Sequence, residues 1–283
     1  MTTLLSAMWY AGRPTDQREA VQIQRSLHRP TAGYEAITIA DGAGGRYASW
    51  VVMDSDGRLV LSEQAFLDWI WSVKTTHCIL CVENQFSETG RPGEGRWGTV
   101  TRMLELARRD RPDVRWGFYV DPVLDRSGDV SLLLRDLPEG LLEAAQAADF
   151  VAQCIYPLLG DAPIRRRVLG VTISTDYWPV ALYRLYTGIA LLRWRLLGVD
   201  VIPLASPQYH VGPGPEGPLE ANEPVDLELM QAQLTVCRLF TYAALWGGVL
   251  FDAQGRTVGV APWARFGAPW QYLAGDLMQP ATG

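Results

Sequence analysis

Apolar positions along this chain follow two spacings. Short uninterrupted runs bounded by Gly, Pro, Ser or Asp read as buried strands. Stripes recurring at three and four residues read as helices with one packed face. Residues 4–10 form a first strand, broken at Gly12-Arg-Pro14. Asp16 caps a helix to about residue 27, with Ala20, Ile23 and Leu27 on one face. Residues 34–40 are a second strand, closed by the turn Asp41-Gly-Ala-Gly-Gly45. Residues 47–53 and 59–61 flank Asp54-Ser-Asp-Gly57 as a hairpin. Ser62 caps a helix to about residue 74, with Phe66, Trp69, Ile70 and Val73 as its stripe. A continuous apolar run, 78–82, is the next strand, and Glu83 follows it directly. Then come a helix at 97–109, a strand at 114–120, a helix at 141–148 and a strand at 150–155. Residues 160–178 read as irregular, and Pro179 suits the first turn of a long helix to Leu197. A strand at 201–205, a Pro/Gly-rich loop at 212–224 and a helix from Asp226 to about Tyr242 follow. Residues 248–251 are the last strand, and 253–283 form a coda with a hairpin and an irregular or short helical end.

Strands alternating with helices at this spacing predict parallel strands joined by helical crossovers. The expected fold class is α/β, a TIM-like (β/α) barrel built as one domain over 1–283. The rival is an open doubly wound sheet. Its glycine-rich phosphate turn after the first strand is missing, because Ala11-Gly-Arg-Pro14 holds a single glycine. Asp41-Gly-Ala-Gly-Gly45 does not fit a phosphate loop either, since no Gly-Lys-Ser/Thr follows.

Composition narrows the partners. The 283 residues are 48% hydrophobic and 20% charged, ordinary for a globular chain. Net charge is -6 and no basic patch with interleaved aromatics occurs, so no nucleic-acid partner is expected. No apolar run approaches a membrane span. Met1-Thr-Thr-Leu-Leu-Ser lacks a basic leader, so the chain as written is expected in the cytoplasm or exported by another route. Cys78-x-x-Cys81 is spaced like a redox or metal pair, but the odd separation on a strand sends the two side chains to opposite faces. All four cysteines are expected to be small buried apolar residues. Three histidines, of which only His210 falls at a strand's C-terminal end, do not make a zinc site; neither metal nor cofactor is expected.

In a parallel barrel, chemistry gathers at the C-terminal ends of the strands. Collected there are Trp9, Asp41, Glu83, Gln85, Tyr119, Asp121, Tyr156, Gln208, Tyr209, His210 and Asp252. Carboxylates can act as the acid and the base or nucleophile of glycoside hydrolysis. Aromatic rings offer apolar faces to sugars. The blander alternative is that the acids pair with arginines and the rings seal the barrel mouth. Glu83 stands out because a carboxylate at the end of an apolar run is costly to bury without a partner.

Five segments in this order resemble the hyaluronidase family and its bacterial relatives, (β/α) barrels that act on amino-sugar polymers. They are Val82-Glu83; Arg111-Pro-Asp-Val-Arg-Trp-Gly-Phe-Tyr119; Ala148-Asp-Phe to Tyr156; Val201-Ile-Pro to Pro207-Gln-Tyr-His210; and Ala243-Ala-Leu to Asp252. The likeness spans roughly residues 44–252. It implies that Glu83 is the general acid. In that family an aspartate two residues earlier orients the substrate acetamido group; here that position is Cys81. A tryptophan ends the family's last strand, and Asp252 stands there on this reading. Asp121 stands at a family tyrosine position. The expected function is therefore a glycoside hydrolase-like barrel acting on a polysaccharide or oligosaccharide. Glu83 is its general acid and Asp121 or Asp252 the second carboxylate. Trp9, Gln85, Tyr119, Tyr156, Gln208, Tyr209 and His210 line the sugar subsites. The alternative, prompted by Cys81, is a catalytically silent carbohydrate-binding or structural barrel with protein partners in a larger assembly.

Overall fold

The computed structural model describes residues 3–8, 35–41, 51–53, 55, 59–73, 76–81, 96–120, 137, 140–155, 158–159, 164–168, 171–175, 180–205, 208–211, 220–225, 227–245, 250–251 and 257–259. Seven strands close a ring: β1 (Thr3–Met8), β2 (Glu35–Asp41), β5 (His77–Cys81), β6 (Arg115–Val120), β7 (Phe150–Cys154), β11 (Val201–Ala205) and β14 (Tyr242–Leu245). Each pairs in parallel with the next one in the chain, and β14 returns to β1 with Thr3 opposite Tyr242. This is the closed (β/α) barrel that the alternating pattern predicts. Five described helices follow its strands: α1 (Glu63–Ile70), α2 (Arg96–Asp110), α3 (Leu141–Ala147), α4 (Val180–Leu196) and α5 (Leu227–Cys237). The first predicted helix, 16–27, lies outside the described residues.

Alternation along each strand divides the barrel wall in two. Cys78, Leu80, Trp116, Phe118, Val151, Val201 and Ala243 join one core with the helix residues Phe66, Ile70, Val100, Leu104, Leu191 and Met230. Ile79, Ala152, Cys154, Ile202, Leu204 and Ala244 are as deeply buried but stand apart from that core, on the interior side. Helix α4 is held to the outer wall by polar contacts as well. Trp194 Nε1 donates to Gln153 Oε1 at 2.9 Å, and the Tyr183 hydroxyl donates to the carbonyl of Ile155. Gly198, with φ of 75°, ends α4: its N–H reaches the Arg195 carbonyl, and Val199 N–H reaches Trp194 O at 2.9 Å. That is a Schellman cap, which only a residue at ease with positive φ accepts cheaply.

Several boundaries differ from the expectation. Helix α1 stops at Ile70, short of residue 74, and Ser62 makes no side-chain cap bond. At the C-terminal end Arg111 closes the helix, its Nη1 donating to the carbonyls of Ile70 and Val73. Residues 160–178 are not wholly irregular: β9 (Ile164–Val168) and β10 (Val171–Thr175) form an antiparallel hairpin. The loop at 212–224 ends in a strand, β13 (Glu220–Pro224), which pairs with β12 (Gln208–Val211), itself parallel to β8 (Leu158–Leu159). The expected hairpin of β3 (Val51–Met53) and β4 (Leu59–Leu61) is present.

The largest correction concerns the end of the chain. Helix α5 stops at Cys237, and the last barrel strand is Tyr242–Leu245, not 248–251. Residues Leu250–Phe251 form β15, which pairs antiparallel with β16 (Thr257–Gly259) outside the ring. Both apolar stretches fit a strand locally. Only one can close the ring between β11 and β1.

Candidate functional site

The two ends of the barrel interior differ. At the N-terminal end the interior is filled by rings. The centroid of the His77 ring lies 5.8 Å from that of Phe150 and 5.0 Å from that of Tyr242, contacts that cross the ring between strands that are not neighbours. The Arg115 guanidinium sits 5.6 Å from the Tyr242 ring centre and 5.9 Å from that of Phe150. Arg115 also donates to the Asp149 carbonyl and to the Asp200 carboxylate, at 3.2 and 3.1 Å. Asp149 caps the neighbouring strand edge: its Oδ2 accepts from the backbone N–H of Trp116 at 2.8 Å, and its Oδ1 pairs with Arg108 at 3.3 Å. Burial pulls the His77 imidazole down to about 4; Arg115 adds to the effect and Asp149 opposes it. His77 is therefore neutral near pH 7. Among the described residues this end is a plug of packed rings, and barrel enzymes do not site their chemistry there.

Gly117 makes the plug fit. A side chain there would meet the Phe150 ring, because a Cβ would lie 2.4 Å from Cε2 and 2.6 Å from Cδ2 and Cζ. Two residues further along the same strand face comes Tyr119, 8% exposed, toward the C-terminal end of the barrel. It is the one expected site residue whose side chain is described. Its burial fits a ring lining the upper barrel interior.

Gln208, Tyr209 and His210 lie on β12, in the connection that leaves the C-terminal end of β11. They belong to a strand rather than to a loop. Trp9, Glu83, Gln85, Asp121, Tyr156 and Asp252 lie outside the described residues. For Asp252 the expected setting is corrected: the strand before it, β15, is no part of the barrel. Residues that directly follow barrel strands include Asp121 after β6 and Trp246 after β14.

Cys78, Cys154 and Cys237 are buried free thiols, as expected. Burial raises the first well above the ordinary thiol range and pushes Cys237 up to about 12. They are inert packing residues at neutral pH. Among the described residues no cluster of His, Cys, Asp or Glu could hold a metal, and no helix is long and apolar enough to cross a membrane.

Sequence reasoning missed the three-stranded sheet on the C-terminal side, where β8 from the segment after β7 meets β12 and β13 from the segment after β11. Within it, Glu220 stands opposite His210. Glu220 was hidden because its stretch, Pro/Gly-rich and polar, lacks strand periodicity.

No protein-family model matches this sequence, and no curated protein matches it either. Among solved structures, the chain resembles a structure from work on two fungal β-1,4-galactanases, with 10% identity, a TM-score of 0.46, and coverage of 93% of this chain and 86% of that one. It resembles the catalytic domain of a chitinase from the fern Peteris ryukyuensis, with 13% identity, a TM-score of 0.44, and coverage of 93% and 78%. A β-glucosidase from Exiguobacterium marinum aligns with 11% identity, a TM-score of 0.43, and coverage of 98% and 83%. The barrel assignment rests on the closed ring of strands itself.

Proposed function

We propose that this chain is a glycoside hydrolase acting on a polysaccharide, with Glu83 as general acid and Asp121 as its partner carboxylate. The observation that carries this reading is the register between β5 and β6. His77 lies opposite Arg115 and Leu80 opposite Phe118. Glu83 and Asp121 lie three residues beyond Leu80 and Phe118, outside the described residues; if the same offset held that far, the two would be opposed, at the strand parity of His77 and Ile79 and of Gly117 and Tyr119. Adjacent strands are about 4.8 Å apart. That spacing is close to the roughly 5–5.5 Å separation of carboxyls in retaining enzymes.

The chemistry follows from that pairing. Two carboxyls held that close would not both ionise easily, which would leave one of them protonated as an acid. Glu83 would donate that proton to the glycosidic oxygen as the bond to the anomeric carbon breaks. Asp121 would attack the anomeric carbon and form a glycosyl ester. Water, deprotonated by Glu83, would then release the sugar and restore both groups. This route needs no carboxylate at Cys81 and no acetamido group on the substrate. Asp121 is preferred to Asp252 as the second carboxylate here because the strand before Asp252, β15, pairs outside the ring.

One further feature supports a glycan ligand. The β9–β10 hairpin, in the connection after β7, sets Arg165 opposite Ser174 and Arg167 opposite Thr172, with no acidic residue in either strand. Those four positions share one face of the ribbon. Like charges two residues apart on one face repel, and an acidic sugar would relieve that.

The test is a panel of neutral and acidic polysaccharides assayed for released reducing ends. Glu83→Gln and Asp121→Asn should each lower turnover by at least a thousandfold, while Asp252→Asn stays within threefold of wild type. Retention of the anomeric configuration is expected by NMR of the first product. Loss of activity in Asp252→Asn with survival in Asp121→Asn would refute the pairing.

One observation favours a second reading, a barrel serving in an assembly of its own copies. Leu185, Leu192 and Leu196 are 51%, 52% and 77% exposed along helix α4. Leu239, 70% exposed, adjoins them where Arg195 meets its carbonyl. An apolar stripe of this kind marks contact surfaces. On this reading sedimentation should show a species larger than the 31.4 kDa chain, and Leu192→Glu should return the monomer.

A further inference from the structure

The mixed sheet on the C-terminal side joins the segments that follow β7 and β11. Its central strand, β12, pairs with β8 on one side and β13 on the other. His210 is opposite Leu158 in β8 and opposite Glu220 in β13. The β12–β13 ladder is irregular at this point: Gln208 faces Pro224, yet two residues later His210 faces Glu220, four residues back. An extra pair of residues is thus accommodated in β13 between the two registers. Bulges of this kind are enriched beside active sites, where they re-aim a strand. Here the irregularity selects Glu220 as the partner of His210; an even ladder would have selected Asn222.

We propose that Glu220 is a positioning residue for His210, a carboxylate and an imidazole that the register of β12 and β13 brings to facing positions. The inference rests on the glycoside hydrolase reading only for the consequence of the pair, not for its existence. Directly opposed residues of an antiparallel ladder share a face. A carboxylate there selects the imidazole tautomer, favours its protonated form and holds its orientation. An imidazole so held can bind a sugar hydroxyl or an acidic sugar group with a fixed proton. The other ionisable groups on the strands packed around His210 are Tyr209 on β12 and Glu223 on β13; β8 contributes only Leu158 and Leu159. Glu223 is three residues from Glu220 and serves as the control.

The chain has three histidines, so each imidazole can be followed by NMR across a pH titration and assigned with His210→Gln. In wild type His210 should titrate about half a unit or more above an ordinary histidine. Glu220→Gln should lower that midpoint by about half a unit or more, Glu220→Asp should restore part of it, and Glu223→Gln should leave it in place. If Glu220→Gln leaves the His210 midpoint unchanged in a folded protein, the pair is refuted. On a cleaved polysaccharide, Glu220→Gln should raise KM about tenfold at neutral pH and move the alkaline limb of kcat/KM to lower pH. A shifted midpoint in a protein that cleaves no glycan would uphold the pair and defeat the hydrolase reading instead.

Discussion

Gly117→Ala isolates the packing that closes the lower barrel. A new Cβ would stand 2.4 Å from Phe150 Cε2, more than an ångström inside ordinary carbon contact. The ring has little room to retreat. Phe150 is fully buried, with the His77 ring at 5.8 Å and the Arg115 guanidinium at 5.9 Å. Inserting a methyl into such a core costs about 1–3 kcal/mol. The stiffer unfolded chain of an alanine variant offsets about 0.4–1 kcal/mol of this. The expected net loss is about 2 kcal/mol, read as a lower urea midpoint at unchanged m-value. Phe150→Leu should relieve the clash, so the double variant should be less destabilised than the two single changes combined, by about 1 kcal/mol or more. If Gly117→Ala unfolds within 0.5 kcal/mol of wild type, or if the two changes are additive, the contact does not limit the barrel.

The same plug makes stability depend on pH. His77 titrates at about 4 in the fold and near 6.5 when unfolded, so the unfolded chain takes up the proton first. Its contribution is complete above about pH 6.5 and is lost as pH falls toward 4, about 3 kcal/mol at most. Urea unfolding at pH 7 and 4.5 should show this loss in wild type and a smaller one in His77→Leu; equal slopes would contradict it. Trp194→Phe removes the donor to the buried Gln153 Oε1 and should cost about 1–3 kcal/mol by the same assay. A change below 0.5 kcal/mol would mean that the amide finds another partner.

Candidate positions were legible where single strands pointed to them. Glu83 and Asp121 were singled out because each follows an apolar run, and periodicity alone marks a strand end. The register that would pair them was not legible. A parallel register is a long-range relation, set here by the offset of His77 to Arg115, and no local pattern encodes it. The last barrel strand shows the reverse error. Leu250–Phe251 looks as strand-like as Tyr242–Leu245, and the difference lies only in which of them bonds to Thr3–Met8.

By itself the sequence determined the alternation of strands and helices, the class of fold and the burial of Cys78, Cys154 and Cys237, because spacing and polarity act over a few residues. Arg115 illustrates what it could not determine. Read alone, it is a charged residue opening a strand; in the fold, its guanidinium lies over two aromatic rings contributed by strands far apart in the chain. Glu220 is the same case on the opposite face, a polar residue in an unpatterned stretch that a bulge brings opposite His210. Inside and outside of the barrel, ring closure and cross-strand partners are relations between distant segments. They were decided by closing the strand ring and filling its interior, where only one arrangement pairs every strand and fits rings such as Phe150 against glycines such as Gly117.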